Sequence, residues 1–154
     1  MKTLALALFM GCFISSCTHT LPNKAHTREV FDARGLKVIT SFANRKQQTI
    51  SVLYGNQLAM QSAATGLHKH VAGEVFKLVT FNRANNKYWY GSYINGSVKS
   101  VETLSTRRAL TGDSSLINYV VERGKAPLNA TGKTASEQQR INSILLHKPL
   151  VFPQ

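Results

Sequence analysis

Hydrophobic residues are spaced along this chain in two different ways. The first is an unbroken apolar run, residues 4–14, set between the basic Lys2 and the small residues Ser15 and Ser16. It is shorter than the roughly 20 residues a permanent membrane helix requires, so 1–16 reads as a signal peptide removed on export. Residues 18–26 are polar, broken by Pro22 and without an apolar period, which predicts a short flexible tether over 17–27. The second kind of spacing starts near Arg28, where stretches of period two and of helical period alternate. Residues 28–154 are therefore expected to form one domain.

Within that domain, 35–42 is rich in β-branched and aromatic residues, and 49–54 puts Ile50, Val52 and Tyr54 on one face. Two strands joined by the basic loop 44–48 follow. Asn56 can cap a helix over 57–65 that turns Leu58, Ala59 and Ala63 inward and stops at Gly66. Residues 74–83 and 87–94 read as strands separated by Asn85-Asn86, and Asn95-Gly96 fits a type I′ turn leading into a third strand over 98–104. A further strand covers 116–122. Ser136 and Gln139 form a capping box before a last helix over 137–147, with Ile141, Ile144 and Leu145 inward and Pro149 beyond its end. The expected class is α+β: one curved, mainly antiparallel sheet of five or six strands with one inserted helix and one C-terminal helix.

Cysteine and charge narrow the setting. The two cysteines of the 154 residues are Cys12 and Cys17, and Ile14-Ser15-Ser16-Cys17 has the form of a lipobox: an aliphatic residue, two small residues and the thiol that accepts lipid. Acylation of Cys17, palmitate included, would hold the domain to a membrane, since each buried methylene contributes about 0.8 kcal/mol. The alternative is an ordinary secretory signal with a chance cysteine. Thr18 in place of an aspartate after the thiol is similar to outer-membrane sorting in enteric bacteria, which predicts an outer-membrane protein facing the periplasm. There are 19 basic and 7 acidic residues, a formal net charge of +12 of which Lys2 supplies one. In an exported, tethered protein the polyanions such an excess could meet are anionic lipids or envelope polymers, not nucleic acid. The basic residues are scattered, with Arg45-Lys46 and Arg107-Arg108 the only adjacent pairs, so a solvated basic surface is the favoured account.

Candidate chemistry is sparse. His68 and His70 lie two apart and would project to the same side of an extended segment, where they could share a metal; two ligands do not make a site, and an exposed loop is the competing account. Tyr88 and Tyr90 share one face of the expected 87–94 strand with Trp89 on the other, either as packing or as the lining of a ligand pocket. There is no G-x-S-x-G, phosphate-binding loop or dinucleotide fingerprint, so no hydrolase or nucleotide enzyme is indicated.

Residues 50–56, with Ala59, Ala63 and Gly66, then Ala72-Gly73-Glu74-Val-Phe76 and Val79-Thr80-Phe81, resemble the cytochrome P-460 family. The likeness continues through Tyr88-Trp89-Tyr90-Gly91, Ser100-Val101-Glu102, Gln139-Arg140-Ile141, Ile144-Leu145, Pro149 and Pro153, and so runs from about Phe42 to Pro153. The resemblance implies an exported, mainly antiparallel β fold. In members with haem it implies a C-x-x-C-H attachment motif near the C-terminus, serving hydroxylamine oxidation or, in the related cytochromes c′-β, nitric oxide binding. Here no cysteine follows Cys17, so two thioethers cannot form.

Two functions remain. One is a non-enzymatic envelope lipoprotein, without cofactor, that binds a ligand or partner. The other is a redox or nitric-oxide-binding protein holding haem non-covalently, with His147 or His68 as ligand.

Overall fold

The computed structural model describes residues 28–65, 70–109, 115–126 and 135–149. The expected signal peptide and tether, Cys17, Gly66 and His68 lie outside these residues. The described chain is a five-stranded antiparallel meander: β1 (Lys37–Asn44), β2 (Thr49–Gly55), β3 (Val75–Asn85), β4 (Tyr93–Arg108) and β5 (Ser115–Gly124) lie in the sheet in sequence order. Helix α1 (Gln57–Thr65) is inserted between β2 and β3, and α2 (Glu137–Leu145) follows β5. No helix among the described residues is long and apolar enough to cross a membrane.

Local chemistry explains the helix starts. Asn56 Oδ1 accepts from the Ala59 amide at 3.0 Å, satisfying one of the first-turn donors that has no partner inside the helix. At α2 the capping box closes both ways: Gln139 N donates to Ser136 Oγ at 3.2 Å, and Ser136 N to Gln139 Oε1 at 3.1 Å. Two helical expectations need correction. Leu58 is exposed, and α1 turns Ala59, Met60 and Ala63 to the core. The last helix stops at Leu145, two residues before the expected end.

The larger correction concerns the middle of the sheet. The separate strand expected over 87–94 does not exist, and Asn95-Gly96 is not a turn. Both residues lie inside a single long β4, where Asn95 pairs with Arg83 and the register shifts nearby between Thr80 and Arg83. Gly96 is glycine for a different reason: a Cβ there would sit 2.8 Å from the Asn82 carbonyl oxygen, so the strands approach too closely for a side chain. The reversal is made by residues 86–92. Asn86 Oδ1 accepts from Tyr88 N at 3.0 Å, Trp89 O accepts from Ser92 N at 3.2 Å, and Gly91 takes a φ of 75°.

Strand pairing places alternate residues on two faces. One face carries Leu53, Phe76, Leu78 and Leu104 under α1 and α2, whose Ala59, Ile141 and Ile144 complete that core. The other carries Val52, Val79, Phe81, Val98 and Val101, packed against Phe31 from the segment ahead of β1. Phe31 meets Tyr54 with ring centroids 5.9 Å apart. That entering segment is fixed by Glu29, whose amide donates to Gly96 O at 3.2 Å and whose carboxylate accepts from Val98 N and from Arg123. Those bonds, the Val98 amide first, hold the Glu29 carboxyl below its usual range.

Candidate ligand-binding cleft

Two glutamates are wholly buried on the helix-covered side, and each explains part of the site. Glu102 continues the inward alternation of Ser100 and Leu104 on β4. A buried carboxylate costs several kcal/mol unless paired, and here the pairing is complete. Arg140 of α2 donates from Nε to Oε2 at 2.9 Å and from Nη2 to Oε1 at 2.8 Å, a two-point fork, while Tyr119 of β5 donates its hydroxyl to Oε2 at 2.8 Å. Burial, then the bond to Glu102, pushes the Tyr119 phenol up to about 12. This cluster ties α2 to β4 and β5 and fixes where the end of α2 lies.

Glu74 stands just before β3. Its amide donates to Thr106 Oγ1 at 2.9 Å, its Oε1 accepts from Val71 N at 3.0 Å, and its Oε2 lies 2.8 Å from His70 Nδ1. From sequence, His70 had only His68 as a companion ligand. The fold supplies an acidic partner because Gly73, at a φ of 94°, turns the chain back on itself and brings the residue four positions on against the imidazole. This contact engages Nδ1 and leaves Nε2 outside it, an arrangement that orients the ring. Ser115 Oγ donates to the His70 carbonyl at 2.7 Å, and the ring meets Phe76 edge-on at 6.2 Å.

Between α1, the end of α2 and this end of the sheet lies a cleft of about 610 Å³. Phe76, Ile117 and Leu145 give it apolar walls, and Ser62, His70, Asn142, His147 and the cationic Lys148 give it polar groups. His147, just past α2, stacks on Phe42 with centroids 4.0 Å apart and planes at 22°. Burial, reinforced by the Arg140 charge, holds its imidazole below its ordinary pKa. The Ser62 hydroxyl is buried with no hydrogen-bond partner, so it forms no nucleophile–base bond with His70 and offers a vacant donor and acceptor.

The structure thus brings His70 and His147 to one cleft, from positions 77 residues apart in sequence. Tyr88, Trp89 and Tyr90 are not among its lining residues. They are exposed on the 86–92 loop at the opposite end of β3, where a reversal longer than the expected Asn85-Asn86 turn removes them from any strand face. Among the described residues, no group of three or more His, Cys, Asp or Glu is placed to hold a metal. Glu74, Ser62 and the Glu102–Arg140 pair were missed from sequence. A signal existed for the last: Arg140 lies on the same helical stripe as Ile141 and Ile144. No protein-family model matches the chain, and comparison with curated proteins finds no match.

Proposed function

We propose that this chain is an envelope lipoprotein, held to the outer membrane through Cys17, whose cytochrome P-460-like domain binds a small ligand in the cleft without turning it over. The carrying observation is the cleft itself: apolar walls combined with two imidazoles, the Asn142 amide and the Lys148 ammonium, the composition of an open site that takes up an apolar body carrying one or two polar or anionic groups. The P-460-like reading rests on the sequence resemblance, and the antiparallel sheet agrees with it only at the level of a mainly antiparallel β fold.

One observation favours a second reading, haem held without covalent bonds. His147 is kept neutral in an apolar setting, as an axial ligand requires, and His70 presents Nε2 with Nδ1 already engaged. The residues present fit non-covalent ligation and not thioether attachment, because no cysteine follows Cys17. Haem bound there would supply electron transfer or nitric oxide binding, while His147 and His70 would hold and orient it.

An absorption spectrum of the purified full chain, before and after haemin addition, separates the readings. The ligand-binding reading expects a featureless visible region and saturable binding of the apolar probe 1-anilinonaphthalene-8-sulfonate that His147→Ala weakens. A stoichiometric Soret band lost in His147→Ala overturns it in favour of haem. A folded protein that takes up neither probe nor haemin overturns both. Mass spectrometry of the mature N-terminus tests the anchor: an unacylated Cys17 removes it.

A further inference from the structure

The opposite end of the sheet carries a second surface that the cleft does not use. Tyr88, Trp89 and Tyr90 are 85%, 74% and 103% exposed, three successive aromatic side chains in water on one loop. Aromatic residues that stabilise a fold are buried against it; these are not, and isolated exposure of one apolar residue is ordinary where exposure of three in a row is not. Cations surround them. Lys87 Nζ lies 4.7 Å from the centroid of the Tyr88 ring, and the Arg83 guanidinium lies 3.7 Å from that of Tyr93. The β1–β2 turn, with exposed Arg45 and Lys46, comes to the same end, because Thr49 pairs with Asn82 and Arg83 N donates to Gln48 O at 2.8 Å.

The described chain also enters the domain here. The Glu29–Gly96 bond sits three residues along β4 from Tyr93, about 10 Å at the rise of a strand. From Glu29 the described chain runs toward Phe31 and Tyr54, away from the loop, so its first residue, Arg28, is one position from a contact on the loop side of the sheet. Eleven positions separate Cys17 from Arg28, a reach of at most roughly 40 Å when extended. A lipid on Cys17 and the aromatic loop can therefore meet one and the same surface.

Trp and Tyr side chains, each an apolar ring with a polar edge, favour the boundary between headgroups and acyl chains. Lys and Arg beside them favour anionic headgroups. We infer that the 86–92 loop is a membrane-docking tip that seats Tyr88, Trp89 and Tyr90 in the interface of an anionic phospholipid bilayer, with Lys87, Arg45 and Lys46 on the headgroups. This extends the proposed lipid anchor to a second point of attachment, which would orient the domain with its cleft turned away from the membrane. It rests on the loop and not on acylation of Cys17.

Trp89 is the only tryptophan in the chain, so its fluorescence reports this loop alone. The full chain is reconstituted into vesicles of phosphatidylethanolamine and phosphatidylglycerol, with and without acyl-brominated lipid, and the state of Cys17 is read by mass spectrometry on the same sample. The expected result is a blue-shifted Trp89 emission quenched by the brominated lipid. In Lys87→Gln the quenched fraction falls, with interfacial partitioning about fivefold weaker, and raised salt has the same effect. Emission that stays red and unquenched on protein floating with the vesicles overturns the proposal, as does quenching in phosphatidylcholine unaffected by Lys87→Gln. A shift produced by lipopolysaccharide or peptidoglycan fragments and not by phospholipid also overturns it. Quenched Trp89 with an unmodified Cys17 leaves the docking tip standing and removes the lipid anchor, so the two fail separately.

Discussion

The two ends of the sheet treat the same kinds of residue in opposite ways. At the cleft end, charged groups are taken out of water and matched: Glu102 is held by Arg140 and Tyr119, and Glu74 by His70 and the Val71 amide. Aromatic rings there are packed, Phe76 in the core and Phe42 under His147. At the other end, Tyr88, Trp89 and Tyr90 stand in solvent beside exposed cations. The contrast teaches that burial, not residue type, assigns roles in this molecule. The cleft end is therefore expected to lose much when one buried partner is removed, and the fold to tolerate removal of the exposed loop aromatics.

Breaking the buried pair should give the largest effect. Glu102→Gln leaves the Arg140 guanidinium and Tyr119 hydroxyl facing a neutral amide, and removing one partner of a buried ion pair typically costs about 3–5 kcal/mol. A urea titration should show that loss, and a cost under about 1 kcal/mol would mean that Glu102 does not organise α2. Next is His147→Ala. Loss of its stacking on Phe42 is worth about 0.5–1.5 kcal/mol, and the substitution also removes a pH dependence. The folded-state imidazole has a depressed pKa, so the unfolded chain takes up the proton first. The stabilisation is complete above the ordinary value of 6.5 and is lost as pH falls through the lower folded value. Stability measured from pH 8 to 5 should slope more in the wild type than in His147→Ala, and equal slopes would place the titration elsewhere. The smallest effect sharpens the contrast from the other side: Trp89→Ser should change stability by less than about 0.5 kcal/mol in the same titration. A larger loss would show that the loop aromatics pack on the fold.

Sequence patterning located most elements because their signals are local. The Asn56 cap, the Ser136–Gln139 box and the alternation in 49–54 and 74–83 each depend on neighbours within a few residues. The error at 87–96 came from the same reliance. Asn95-Gly96 is a strong turn signal taken alone, and its glycine was read as a turn residue when it serves a close approach to the Asn82 backbone. His147 was named from sequence only as a haem ligand alternative to His68. The sheet brings Phe42 to it from more than 100 residues away and makes it a half-buried, stacked group.

What the sequence determined by itself was the kind of structure: a lone antiparallel sheet, a helix after its second strand, a helix at its end, an excess of basic charge and no thiol beyond Cys17. Those follow from propensities and periods that act over a turn or a strand. Only the tertiary structure decided which polar residues share a space, setting Glu74 against His70, Arg140 against Glu102, and His70 and His147 on one cleft while the aromatic triplet lies at the far end. Strand register and helix docking fix those distances, and they are set by the packing of all the elements together.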